Sequence, residues 1–123
     1  ERVMNTTKQQ DFLNYLAAKC DDFKNCEQLL KEDQRKDEAN HAKIQMNIYQ
    51  IFQTIFQVTI KKSKEEEVEQ DFLAQLERIP QSWEKALESA RMHQDVEREF
   101  IENLKFQMRD RIREEFLKVV NEE

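Results

Sequence analysis

The chain has 123 residues, of which 37% are charged and 38% hydrophobic, and its formal net charge is −6. It contains no glycine and a single proline, which excludes glycine-dependent phosphate-binding loops because their turns need residues without a Cβ atom. The acidic balance also argues against a nucleic acid partner, since affinity for nucleic acid comes mainly from neutralised phosphates. We predict one all-α domain over residues 1–123.

Two further compositional features bear on location. The first 30 residues hold no apolar stretch of the length that a secretory signal needs, and no window is apolar enough to cross a membrane. We therefore predict a cytoplasmic protein that has no membrane partner. Cys20 and Cys26 lie six residues apart and would point to different faces of a helix, so we interpret them as free thiols. An intermolecular disulfide across a dimer is the alternative.

The first predicted helix covers residues 7–33. It follows Asn5 and Thr6, which are favoured N-cap residues. Apolar residues then recur at the heptad-like spacing of a coiled coil: Phe12, Leu16, Phe23, Cys26 and Leu30. Residues 31–43 are almost entirely polar, and we interpret them either as a turn within 34–40 or as exposed, continuous helix.

The second predicted helix covers residues 40–62 and is the most informative part of the chain. Residues 44–60 contain no charged side chain. Two apolar stripes run through them, Ile44, Ile48, Ile51, Ile55 and Val58 beside Tyr49, Phe52, Phe56 and Ile60. The remaining stripe is polar but uncharged, comprising Asn47, Gln50, Gln53, Thr54 and Gln57. A helix that is apolar over most of its circumference is typically central, and an amide-rich stripe indicates contact with protein.

Two more helices are predicted, over residues 64–79 and 82–120. Pro80 should end or kink the first of them because it lacks a backbone N–H. The last helix would span about 57 Å, longer than its neighbours, so it would either be covered by two helices in series or extend to a second chain. The predicted fold is an elongated antiparallel bundle of about four helices with a long C-terminal helix.

No enzyme signature or cofactor site emerges from the sequence. Glu38 and His41 have the spacing of a helical metal-ligand pair, but the pattern occurs once and His93 lacks it, so we predict no metal. We predict a non-enzymatic interaction module that self-associates, as a homodimer, or binds another helical protein. Its expected anchors are large apolar residues of the second and fourth predicted helices: Tyr49, Phe52, Phe56, Phe100, Leu104 and Met108.

Two alternatives remain open at this stage. In the first, the aromatic stripe of the second predicted helix packs within the chain as ordinary core. Alternatively, the chain is a ligand-binding or regulatory domain, with an apolar pocket between the second helix and the residues Trp83 and Leu87.

Overall fold

The computed structural model describes residues 3–122. Within them lie five α-helices and one short 3₁₀ turn, and no strand. The helices are α1 (Thr6–Glu32), α2 (Lys36–Lys62), α3 (Val68–Arg78), α4 (Gln81–Met92) and α5 (Val96–Val120), and the 3₁₀ turn is Glu65–Glu67. The predicted all-α bundle with a long C-terminal helix is confirmed.

The helices form the four sides of a bundle, because α3 and α4 follow one another and together make one side. At the end that we call the lower end, the Lys8 ammonium donates a hydrogen bond to the carbonyl of Val120 over 2.8 Å. At the opposite, upper end, Nε2 of His41 lies 2.9 Å from Oε1 of Glu97. The helices α2 and α5 therefore run parallel, and each is antiparallel to α1 and to α3–α4.

Pro80 divides the third side as expected. Ile79 and Pro80 keep right-handed helical dihedral angles, so the chain continues in roughly the same direction after α3 ends at Arg78. Since proline has no N–H to donate, the ladder of backbone hydrogen bonds is interrupted at this position. Trp83 follows at once and packs edge-on against Phe52 of α2 and Phe106 of α5, with ring centroids 6.4 and 5.7 Å apart.

Four phenylalanines join all four sides at the lower end. Phe12, Phe56, Phe72 and Phe116 come from α1, α2, α3 and α5, and each is fully buried. Their ring centroids lie between 4.7 and 5.6 Å apart in five of the six pairs, mostly edge to face. Such aromatic pairs add about 0.5–1.5 kcal/mol each beyond the burial of their area. This cluster is the centre of the core.

The last predicted helix, over residues 82–120, was wrong as a single element. A turn at His93–Asp95 separates α4 from α5 and folds α5 back along α4. Gln94 takes a left-handed conformation with φ of 54°, and the Asp95 carboxylate accepts a hydrogen bond from the backbone N–H of Arg98 over 3.0 Å. This N-cap is the signal that sequence reasoning missed. Consequently no single helix of 39 residues extends beyond its neighbours in the described part of the chain.

The turn between α1 and α2 has the same construction. Gln34 is left-handed with φ of 59°, and the N–H of Arg35 bonds to the carbonyl of Leu30, as that of Asp95 does to Ala90. Both are Schellman motifs, in which glutamine occupies the position that usually belongs to glycine. The turn alternative for residues 31–43 is therefore confirmed. The predicted start of the second helix at residue 40 was wrong, since α2 begins at Lys36.

Candidate interaction surface

The six predicted anchors differ sharply in exposure. Tyr49, Phe52, Phe56 and Met108 are at most 1% exposed, and Leu104 is 8% exposed. Phe100, by contrast, keeps 50% of its surface open. Five of the six side chains are thus covered by the chain itself, which agrees with the core alternative for the aromatic stripe. Whether any of the six contacts a partner stays a prediction.

The buried anchors hold α2 against its neighbours. Phe56 lies 4.9 Å from Phe12 of α1, and Tyr49 contacts Tyr15 and Phe23 of the same helix. These contacts turn one face of α2 inward along its length. They also determine, by exclusion, which residues of α2 face outward.

The outward residues of α2 form a surface without charge, which we call the outer face of α2. It consists of exposed residues in the centre of the helix: Asn47, Gln50, Ile51, Thr54, Gln57 and Val58. Ile51 and Val58 are 39% and 42% exposed. Most of the amide stripe predicted from sequence is therefore found on the surface. Gln53 is the exception, since it is half-buried and its Oε1 lies 3.9 Å from Sγ of Cys20.

A groove between α2 and α3 borders the outer face. It is open, has a volume of about 560 Å³, and is lined by Ile55, Val58 and Ala74 together with a larger number of polar and charged side chains. Lys62 and Arg78 lie among its charged lining residues. The exposed apolar area around Val58 thus continues into a concavity that could accept side chains from another helix.

A second apolar patch lies at the upper end, on the turn between α4 and α5. Met92, Val96 and Phe100 are 75%, 78% and 50% exposed. The imidazole of His41 stacks against Phe100 with ring centroids 4.7 Å apart and bonds to Glu97. The sequence analysis placed these three residues within one continuous helix over 82–120, so it did not anticipate a patch at a turn.

The potential metal ligands are not brought together. Glu38 forms an ion pair with Arg35, whereas His41 bonds to Glu97 on α5. Among residues 3–122, no group of three or more histidine, cysteine, aspartate or glutamate side chains is placed to hold a metal ion.

Two tyrosines form a buried polar contact between α1 and α2. The hydroxyls of Tyr15 and Tyr49 lie 2.9 Å apart and share a hydrogen bond. Burial raises the pKa of both phenols, and for Tyr15 the hydrogen bond to Tyr49 raises the pKa further. Burial likewise raises the pKa of the nearby Cys20 thiol, so this cysteine is less reactive than a solvated thiol. The pair is a structural contact whose protonated form is favoured by folding.

Glu102 is the one carboxylate in the described range that is completely covered, with 1% exposed. Its Oε2 forms an ion pair with Nε of Arg98 at 3.0 Å and accepts a hydrogen bond from Nζ of Lys105 at 3.2 Å, while its Oε1 has no hydrogen-bond partner among the described residues. Two cations on the same helix compensate the buried charge. In the sequence, Glu102 lies between Arg98 and Lys105, a pattern typical of a solvent-exposed helix, so its burial could not be predicted.

The predicted ligand pocket near Trp83 is partly occupied by protein. The indole is 8% exposed and lies between Phe52 and Phe106. Next to it, Leu87 and Phe106 line an open groove of about 680 Å³ together with Arg91 and Arg109. The polar and cationic groups are at the surface rather than inside an enclosed cavity.

Comparisons with known proteins provide no relative. No protein-family model, no curated protein and no solved structure matches the chain. Within residues 3–122, no helix combines the length and the apolar character that crossing a membrane requires.

Proposed function

We propose that the protein is a non-enzymatic helical interaction module that self-associates through the outer face of α2. The observation that carries this proposal is the absence of charge on an exposed helical surface. In a chain of which 37% is charged, no lysine, arginine, aspartate or glutamate lies between residues 44 and 60. Interfaces are depleted of charge in this way, because an unpaired charge costs more to desolvate than an amide or an aliphatic group.

The stability of the folded monomer does not explain why the outer face of α2 lacks charged residues. On a solvated helix surface, lysine, glutamate and arginine have higher helix propensity than asparagine, threonine, valine or isoleucine. Asn47, Ile51, Thr54 and Val58 therefore each cost a few tenths of a kcal/mol relative to charged residues. A surface that is poorer both in solubility and in propensity is consistent with burial in a complex.

The burial of each side chain determines which substitutions can test self-association. Phe52 and Phe56 are fully buried, so a charged substitution there would unfold the chain and could not report on association. Ile51 and Val58 are suitable instead, because they are exposed. We expect the double variant Ile51→Glu with Val58→Glu to fold normally and to sediment as a monomer at concentrations at which the wild type forms dimers.

A matched control comes from the exposed surface of α1. The double variant Asn25→Glu with Gln28→Glu adds the same two charges at exposed helical positions and should leave the dimer intact. A wild type that stays monomeric at high micromolar concentration would overturn the proposal. So would a control that dissociates as fully as the α2 variant.

Phe100 supplies the competing location, since it is the predicted anchor with the largest exposed surface. A third double variant, Val96→Glu with Phe100→Glu, changes only the upper patch. If this variant dissociates the dimer and the α2 variant does not, the interface lies on α5 and our assignment to α2 is wrong.

A second candidate function is the binding of a small amphiphilic ligand beside Leu87. It is favoured by the groove in which Leu87 and Phe106 lie near Arg91 and Arg109. Trp83 contacts Phe106, so its fluorescence should respond to an occupant of this groove. A titration with short-chain fatty acids tests this candidate, and unchanged Trp83 emission together with an unchanged Tm would reject it.

A further inference from the structure

We propose that the upper half of the bundle opens while the lower half stays folded, and that the buried Glu102 sets the balance between the closed and the open state. The upper half comprises residues 22–32 of α1, 36–47 of α2, 84–92 of α4 and 96–107 of α5, and the lower half is the rest of the bundle. This opening goes beyond the proposed function, because it takes place within a single copy whether or not copies associate.

The two halves differ in the side chains that they bury. The lower half covers large apolar residues completely: Phe12, Leu16, Tyr49, Phe52, Phe56, Phe72, Leu76, Met108, Ile112 and Phe116. Within the ranges of the upper half, the buried residues are three alanines, two leucines and one glutamate: Ala39, Ala42, Ala90, Leu87, Leu104 and Glu102. Residues 22–32 of α1 contribute no buried side chain. Since stabilisation grows with the apolar area removed from water, the upper half gains much less from closing.

Closing the upper half also removes Glu102 from water. Its two cationic partners, Arg98 and Lys105, lie on α5 as well, so these ion pairs do not hold α5 to another helix. Its Oε1 has no hydrogen-bond partner among the described residues. A buried polar atom without a partner costs free energy, which hydration in the open state would recover. Glu102 therefore shifts the equilibrium towards opening.

A contact through His41 joins the α1–α2 hairpin to the α4–α5 hairpin at the upper end. Nε2 of His41 lies 2.9 Å from Oε1 of Glu97, and the imidazole stacks on Phe100 with ring centroids 4.7 Å apart. The side chain of Glu97 is 64% exposed and Phe100 is 50% exposed, so water competes with the polar contact. The lower end is joined instead by the four-phenylalanine cluster. The two hairpins can therefore separate at the upper end and remain joined at the lower end.

Opening would enlarge the upper patch. Leu104 is 8% exposed and lies one turn beyond Phe100 on the same side of α5. Separation of the hairpins would expose Leu104 next to the patch. It would also expose the backbone of the upper half to exchange, because helical segments of about ten residues are marginal without packing.

Native-state hydrogen exchange tests the opening, at a protein concentration at which association is negligible. The amides of Ala42 and Leu87 should exchange faster than those of Phe56 and Phe116, and with a weaker dependence on urea, because opening exposes less surface than unfolding. If the four amides share one protection factor and one urea dependence, the bundle unfolds as a single unit and the proposal is overturned.

A conservative change in the lower half gives the sharper test. Ile112 is fully buried and stays packed in the open state. Ile112→Val should therefore speed exchange at Phe56 and Phe116 by about twofold to tenfold, while exchange at Ala42 and Leu87 changes by less than about twofold. Equal acceleration at all four amides would show that the upper half does not open separately.

The role of Glu102 is tested by Glu102→Leu. The closed state of this variant no longer buries a carboxylate, so exchange at Ala42 and Leu87 should slow by about fivefold or more. Glu114→Leu is the matched control, because Glu114 is an exposed glutamate on the same helix, and it should change these rates by less than about twofold. Unchanged or faster exchange in Glu102→Leu, or equal slowing in the control, would overturn the role of Glu102.

Discussion

The helices α1 and α2 have the same length, 27 residues each, and pack against one another as antiparallel neighbours. Their inner faces are alike, since each contributes a fully buried phenylalanine to the central cluster, Phe12 and Phe56. Their outer faces differ. The exposed residues of α1 include Asp11, Asp21, Asp22, Lys24 and Lys31, whereas the outer face of α2 has no charge.

Folding requirements therefore do not explain why the outer face of α2 lacks charge. Both helices lie on the outside of the same bundle and are equally able to carry lysine and glutamate on their solvated side. What α2 presents instead is an amide and aliphatic surface with Ile51 and Val58 about 40% exposed. The binding role that we propose for α2, and not for α1, would account for the contrast.

The largest expected effect concerns the inner faces, where the two helices should behave alike. Phe12→Ala and Phe56→Ala should each lower the free energy of unfolding by about 3–5 kcal/mol, because each removes a fully buried ring and leaves a cavity. Urea denaturation followed by circular dichroism measures both. A loss below about 1 kcal/mol for either variant would show that the four-phenylalanine cluster is not the centre of the core.

The contact between the two helices should weaken in alkali. Folding raises the pKa of Tyr15 and Tyr49, so the folded state holds their protons more tightly than the unfolded state. The resulting stability is fully present below about pH 10, the ordinary pKa of tyrosine, and is lost as the pH rises beyond it.

Tyr15→Phe isolates this contribution. It should cost about 1 kcal/mol at pH 7 through the lost hydrogen bond and should flatten the decline of stability above pH 10. Urea midpoints measured from pH 7 to pH 11 for both proteins provide the check. An unchanged alkaline slope in the variant would mean that Tyr15 does not contribute to it.

Glycine substitutions in the turn between α1 and α2, and in the turn between α4 and α5, should increase the stability of the fold. Gln34→Gly and Gln94→Gly should each raise the free energy of unfolding by about 1 kcal/mol, because glycine has no Cβ to strain in the left-handed region. Gln28→Gly, within α1, is the control and should lower stability by a similar amount. A destabilised Gln34→Gly would indicate that the glutamine side chain makes a compensating contact.

The smallest effect is expected on the outer face of α2. Ile51→Lys should change the free energy of unfolding of the monomer by no more than about 0.5 kcal/mol, like an ordinary surface substitution on α1. Thermal denaturation at low concentration, where association is negligible, measures it. A loss of several kcal/mol would show that Ile51 belongs to the core and that the two outer faces are not comparable.

Much of the fold could be predicted from sequence, because apolar periodicity and charge patterning are local signals. The uncharged residues 44–60 predicted a helix that contributes several residues to the core, and Pro80 marked the end of α3. The expectation that this helix is central was wrong, because α2 is one side of the bundle and keeps an exposed outer face. The turns were harder to predict. Gln34 and Gln94 adopt the left-handed conformation, which glutamine rarely takes. Glycine usually marks such positions, and because this chain has no glycine, the two turns could not be located from residue type.

The candidate surface was predicted less well, for a physical reason. Periodicity shows which residues are apolar but not which neighbour covers them. Sequence analysis did not show that α1 would cover Tyr49 and Phe56, or that Gln45 of α2 would contact Met108. Of the residues singled out from sequence, Phe100 and most of the amide-rich stripe beside Ile51 and Val58 are the ones that the fold leaves exposed.

The most direct test of the central claim is a dilution series of amide proton–nitrogen correlation spectra. If the chain self-associates through α2, resonances of the outer face, including the side-chain amides of Asn47 and Gln50, should shift with concentration while the exposed residues of α1 do not. Spectra that are independent of concentration, or shifts confined to Val96 and Phe100, would contradict it.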